Sequence, residues 1–222
     1  MMAENIAVAL DGPGGSGKST IARMLARRLG SIYLDTGAMY RTFALKVLRS
    51  GLDKSDRADI LKILNETKVD VAFENGEQRM LLDGEDVTGF IREPDVTEWA
   101  SFVASIPEVR LKLVDLQREV SNRVSIVMDG RDIGTYVLPH AQYKFFLTAS
   151  PEVRAKRRYE ECLAKGMTVS YSDIYEALAA RDAQDSGRDF APLRQAEDAI
   201  LIDTGMLTPD EVMETILRHM DR

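Results

Sequence analysis

The chain has 222 residues, 45% of them hydrophobic and 29% charged, with a formal net charge of −7. Such a length and composition suit one globular domain over residues 1–222 with a substantial core, and they exclude a disordered chain. The acidic balance, without any block of like charges, argues against a nucleic-acid partner, whose phosphates call for a basic face.

The amino-terminal stretch MMAENIAVALDG has no basic segment and only a brief apolar run before Asp11. No stretch reaches the roughly 18 apolar residues of a membrane span, so a cytoplasmic protein without membrane contact is expected. Residues 6–10 open a series of short apolar runs, continued at 32–34, 125–128, 144–147 and 199–202, of the kind that buried parallel strands show. Helical periodicity fills the spaces between them. Helix starts are marked at Ser105 to Pro107, Ser150-Pro151 and Thr208-Pro209, where proline suits the first turn, and Thr208 with Glu211 makes a capping box. The alternation predicts an α/β sandwich.

One stretch breaks it. VDVAFENGEQRMLLDGEDVTG, residues 69–89, sets Asn75-Gly76 and Asp83-Gly84 between short alternating runs. Both dipeptides favour type I′ hairpin turns, which need positive φ at two successive residues. A three-stranded antiparallel meander is expected, too small to fold alone and inserted at one end of the sheet.

Behind the first strand, Gly12-Pro13-Gly14-Gly15-Ser16-Gly17-Lys18-Ser19 matches G-x-x-x-x-G-K-[ST] and runs through Thr20 into the periodic segment 19–29. Strand before and helix after are the context a phosphate-binding loop requires. Its glycines let backbone N–H groups turn inward around a phosphate, the helix adds its positive end, and Lys18 supplies a mobile cation at the β- and γ-phosphates. Ser19 is the candidate Mg²⁺ ligand. Asp11 and Asp129 both end strands near the loop, and either can hold a metal-bound water; Asp129 is taken as the metal candidate. A guanine-reading N-K-x-D string, which a GTPase switch would need, is absent from the sequence.

Four more strings carry the arginines an acceptor phosphate calls for, since a planar guanidinium fork suits phosphates better than a point charge. YLDTGAMYR (33–41) follows the second strand, where Asp35 reads equally well as a helix cap. VMDGRDIGT (127–135) follows the third strand with carboxylates on both sides of an arginine. SPEVRAKRR (150–158) begins a helix with Arg154, Arg157 and Arg158 at its exposed turns. RDAQDSGR (181–188) spaces Arg181, Asp185 and Arg188 along one helical face if the helix runs that far. The single cysteine, Cys162, has no partner in sequence for a disulfide or a metal and reads as a spectator thiol.

Taken in this order over nearly the whole chain, GPGGSGKST, LDTGAMYR, MDGRDIGT, ASPEVRAKRR and RDAQDSGR resemble the bacterial cytidylate kinases of the nucleoside monophosphate kinase group, DGRDIGT being the most specific of them. The meander is similar to the insertion that sets bacterial members apart. The resemblance implies five parallel strands in the order 2-3-1-4-5, a monophosphate-binding region at about 36–110 holding the insert at about 68–90, and a mobile lid at about 150–170. It implies transfer of the γ-phosphoryl group of ATP to CMP or dCMP by a monomer that uses Mg²⁺. It assigns the acceptor phosphate to Arg41 and Arg131, the cytosine to Thr36, Arg110, Asp132 and Arg188, and the sugar to Ser101, Arg181 and Asp185, with Tyr40 beside them. Thr36 keeps the hydroxyl where some relatives have serine. Lys18 and Arg131, with Arg157 or Arg158 from the lid, are the implied catalytic cations.

Elementary chemistry agrees on the base. Cytosine offers an N4 amino donor and the O2 and N3 acceptors, so a carboxylate can take the amino group while guanidinium groups donate to the acceptors. Asp132 with Arg110 or Arg188 fits that edge, and uracil reverses it. Two other readings stay open: a kinase for another small acceptor such as UMP or shikimate, and a non-catalytic nucleotide-gated binding protein.

Overall fold

The computed structural model describes residues 5–220. In chain order its elements are β1 (Ala7–Asp11), α1 (Lys18–Leu29), β2 (Ile32–Asp35), α2 (Thr36–Arg49), α3 (Arg57–Glu66), β3 (Val69–Glu74), β4 (Glu77–Leu82), β5 (Glu85–Asp86), α4 (Pro94–Val103), α5 (Pro107–Ser121), β6 (Ile126–Gly130), a π-helical turn (Ile133–Val137), β7 (Tyr143–Thr148), α6 (Pro151–Ala164), α7 (Tyr171–Ser186), β8 (Ile200–Asp203) and α8 (Pro209–Met220). The main sheet holds five strands in the order β2-β6-β1-β7-β8, which is 2-3-1-4-5 along the chain, and β3-β4-β5 form a separate small sheet. Two compact units result, one built from residues up to 31 and from 125 onward, the other from residues 32–124.

In the first unit, Val8, Ala9 and Leu10 on β1 and Val127 and Met128 on β6 are fully buried, as parallel strands covered on both faces must be. Helix α1 turns Ile21, Ala22, Leu25 and Ala26 inward and stops at Gly30, whose φ of 62° lets its N–H reach the carbonyls of Ala26 and Arg27. Strand β1 pairs in parallel with β6, Leu10 opposite Asp129 and Asp11 opposite Gly130. The segments that follow these two strands therefore leave the sheet side by side, at the carboxyl edge where open α/β sheets bind ligands. Gly12 makes the exit of the first possible: its φ is 143°, and a Cβ there would lie 2.0 Å from the Leu147 carbonyl oxygen on β7.

Helix ends follow local chemistry. The Thr208 N–H donates to Glu211 Oε2 at 2.8 Å and the Glu211 N–H donates to Thr208 Oγ1 at 3.3 Å, completing the capping box of α8. The Val153 N–H donates to Ser150 Oγ at 3.3 Å at the start of α6. Helix α5 starts at Pro107 as expected, headed by Ile106 with no side-chain cap, while Ser105 donates its hydroxyl to the Phe102 carbonyl at 2.7 Å. Helix α7 ends at Ser186 with Gly187 behind it, so Arg188 does not share its face.

In the second unit, β3 and β4 pair antiparallel with Val69 opposite Leu82, and Leu81 of β4 faces Asp86 of β5. The two turns have the predicted backbone: φ is 52° at Asn75, 79° at Gly76, 52° at Asp83 and 91° at Gly84. Trp99 and Phe102 of α4 meet edge to face at 5.6 Å, with Lys54 over the indole at 5.4 Å; these aromatics serve packing.

Candidate active site

In the first unit the loop between β1 and α1 curls around Lys18, which is buried and donates from Nζ to the Pro13 carbonyl at 2.7 Å and to Ser16 Oγ at 3.3 Å. Burial, aided by the Arg131 charge, pushes this ammonium well below an ordinary lysine pKa, against the pull of Asp129 and Asp11. Ser19 donates its hydroxyl to Asp129 Oδ2 at 2.8 Å. A hydroxyl and a carboxylate oxygen together beside the loop form the kind of hard-oxygen donor pair that Mg²⁺ accepts, since it takes one or two protein oxygens and leaves the rest of its shell to phosphates and water.

Asp11 plays a different part. Its two carboxylate oxygens accept the N–H groups of Ile133 at 2.8 Å and Gly134 at 2.7 Å, fastening the π-helical turn to the end of β1. Burial pushes its carboxyl up to about 7 in spite of those two donors.

The DGRDIGT segment enters that turn. Arg131 donates from Nε to Asp185 Oδ2 at 2.8 Å and from Nη1 to the Gly130 carbonyl at 3.2 Å. Its Nη2 lies 3.7 Å from where a side chain on Gly14 would begin, so the guanidinium stands against the phosphate-binding loop. Asp132 is buried at the head of the turn, its carbonyl accepting the N–H groups of Tyr136 at 2.9 Å and Val137 at 3.0 Å. Asp185 is 2% exposed and is held by both Arg131 and Arg188. Burial alone would raise its pKa, but the charges of Arg131, Arg188 and Arg181 hold it below the usual carboxylate range. Arg188 thus reaches Asp185 from the segment beyond α7, and Arg181 sits one helical turn before Asp185.

The basic string of α6 departs from the expected exposed turns. Arg154 is only 5% exposed. Arg157 donates from Nη1 to Thr204 Oγ1 at 3.0 Å and from Nη2 to the Thr204 carbonyl at 2.6 Å. Arg158 remains on the surface, paired with Glu161 of its own helix at 3.0 Å.

In the second unit, Asp35 caps α2 by accepting the Ala38 N–H at 3.0 Å, and the same carboxylate pairs with Arg41 at 2.7 Å and Arg92 at 3.0 Å. Thr36 and Tyr40 are buried on the first turns of α2. Arg110 is 1% exposed on α5, donating to the Ala104 carbonyl at 3.2 Å with its guanidinium 5.5 Å from the Tyr40 ring centroid. A charge so deeply placed is no ordinary solvated arginine. Ser101 is half-buried on α4. Thr36, Tyr40, Arg41, Ser101 and Arg110 are thus in this unit, and the phosphate-binding loop with Asp129, Arg131, Asp132, Arg181, Asp185 and Arg188 is in the first. The contacts of Arg92 with Asp35 and of Thr204 with Arg157 were not foreseen from sequence; Thr204 stands directly after the fifth strand, a position that alone could have drawn attention to it.

The sequence matches the family described as "Cytidylate kinase" over residues 8–222. It is 50% identical over 214 residues to the cytidylate kinase of Caldicellulosiruptor bescii, covering 96% of this chain and 95% of that one. The cytidylate kinase of Bacillus licheniformis is 44% identical, with 100% of this chain and 98% of that one covered. Among solved structures, an uncharacterized protein from Eubacterium ventriosum superposes with a TM-score of 0.55 at 15% identity, covering 98% of this chain and 99% of that one. A gluconokinase from Sinorhizobium meliloti does so with a TM-score of 0.51 at 13% identity, covering 98% and 92%. Both likenesses bear on the fold alone.

Proposed function

Because the chain belongs to the cytidylate kinase family and phosphorylates CMP at the expense of ATP, we propose that the residues described above divide between the donor and the acceptor nucleotide. Residues 12–20 cradle the ATP phosphates, with Lys18 at the β- and γ-phosphates. Arg41 and Arg131 bind the phosphate of CMP; Thr36, Arg110, Asp132 and Arg188 read the cytosine; Ser101, Arg181 and Asp185 hold the sugar, beside Tyr40. dCMP is accepted as well. Ser19 and Asp129 hold Mg²⁺, which when bound neutralises charge on the donor phosphates. The observation that carries this reading is Arg131, which stands against Gly14 of the donor loop while bonded to Asp185 of the acceptor set.

A phosphate oxygen of CMP attacks the γ-phosphorus in line, the bond from that phosphorus to the β-bridging oxygen breaks, and ADP departs. The attacking oxygen is already anionic at neutral pH, so the chain supplies positioning and positive charge and no strong base. Water would compete for the phosphoryl group, which gives the segment at about 150–170 its task as a lid that closes over both nucleotides before transfer, with Arg157 or Arg158 completing the positive charge. The expected oligomeric state is a monomer, in the cytoplasm, handling small nucleotides and no nucleic acid. Among the described residues no helix is long and apolar enough to cross a membrane.

Coupled ADP release against a panel of acceptors tests the reading. CMP and dCMP should turn over, with UMP, AMP and shikimate at least about ten-fold lower in kcat/KM. UMP or shikimate turning over as well as CMP would overturn it. The lid has its own readout in amide exchange: residues 154–170 should be less protected without ligand than with both nucleotides, and either nucleotide alone should protect them less than the two together. Identical exchange in every state would remove the lid from the account.

A further inference from the structure

We propose that Asp182 and Arg154 form a relay that aims the phosphate-binding amides, so that a carboxylate on the proposed acceptor helix sets the affinity for ATP. Arg154 spends its guanidinium on three acceptors: Nε donates to the Ala149 carbonyl at 3.0 Å, while Nη1 donates to the Gly14 carbonyl at 3.1 Å and to Asp182 Oδ2 at 2.5 Å. Helix α6 lies hard against the loop here, because a Cβ on Gly15 would fall 3.0 Å from both the Cβ and the carbonyl oxygen of Arg154.

Peptide geometry turns this contact into a function. In a planar trans peptide the C=O of one residue and the N–H of the next point in opposite directions. Holding the Gly14 carbonyl on Arg154 therefore drives the Gly15 N–H away from α6. The same rule applies at the neighbouring peptides: Lys18 Nζ on the Pro13 carbonyl at 2.7 Å directs the Gly14 N–H, and Thr204 Oγ1 on the Ser16 carbonyl at 3.0 Å directs the Gly17 N–H. Amides aimed before the ligand arrives are what an anion cradle needs. Of these three grips, that of Arg154 is the one oriented by a carboxylate, and Asp182 stands one residue after Arg181 and three before Asp185 on α7. Asp182 is a positioning residue for ATP set among residues assigned to CMP. Both its neighbours' role toward CMP and its own effect on ATP rest on the proposed function, which gives residues 12–20 to the ATP phosphates.

The test is MgATP affinity by calorimetry without acceptor, together with KM for CMP, in Asp182→Asn, Arg154→Lys and the double variant. Each single change should raise the Kd for MgATP about five-fold, the double variant no further, since both break one relay. KM for CMP should stay within about two-fold of the parent, which a general loosening of α7 or a CMP contact would not allow. Unchanged MgATP affinity in folded Asp182→Asn, an additive loss of roughly 25-fold in the double variant, or a rise in KM for CMP matching that for ATP would overturn the relay. Should Asp182→Asn fail to fold, Arg154→Lys carries the same expectation alone. A parent that binds MgATP but does not phosphorylate CMP would sink the proposed function while leaving the calorimetric test of the relay intact.

Discussion

Lys18→Met is expected to lower kcat by about 100-fold or more, roughly 2.7 kcal/mol of barrier, in a protein that still folds. Without ligand the ammonium is buried and satisfied by the Pro13 carbonyl and the Ser16 hydroxyl, with Arg131 crowding it electrostatically. Its charge has most effect when phosphate oxygens replace those neutral partners, and more still as charge shifts during transfer in a site of low effective dielectric. Methionine keeps the length and apolar stem of lysine, so it removes the cation and leaves the packing of α1 in place. The check is kcat at saturating ATP and CMP beside a thermal melt. Near-normal turnover in a variant that melts with the parent would take Lys18 out of the chemistry.

The frame of this mechanism was legible in the sequence wherever local chemistry decides structure. Strands such as β1 and β6, buried on both faces, can only be written as short apolar runs, and Asn75-Gly76 and Asp83-Gly84 announce their turns because few other residues accept positive φ. The glycine at the exit of β1 was legible as well, and Gly12 has no room for a side chain against Leu147. Asp35, left between capping and binding, both caps α2 and anchors Arg41 and Arg92.

What escaped depends on tertiary packing or on where a helix stops. Arginine at an outward helical position normally snorkels into solvent, yet Arg154 is buried because Gly14, 140 residues away in sequence, and Asp182, 28 away, accept its protons. Arg188 lies beyond the end of α7 and still meets Asp185, a fold-back that helical spacing does not encode. The π-helical turn at Ile133–Val137 is fastened by Asp11 from another strand, so nothing within IGTYV foretells it. None of the three is written in local sequence.

Asp132→Asn tests the central claim, that this chain selects cytosine, most directly. Asp132 is buried at the head of the turn that Asp11 pins, so its side chain belongs to a fixed element. Asparagine keeps its shape and removes its charge. The carboxylate can only accept, which suits the N4 amino group of cytosine and leaves O4 of uracil facing another acceptor; the amide can accept from the first or donate to the second. Leaving polar groups unpaired is what gives such a site its power to reject. The measurement is kcat/KM for CMP and for UMP in parent and variant at one pH and Mg²⁺ concentration. The value for CMP should fall while that for UMP falls much less or rises, narrowing their ratio by about ten-fold or more, about 1.4 kcal/mol of discrimination. If both values fall by the same factor, Asp132 supports the fold or the phosphate site and does not read the base.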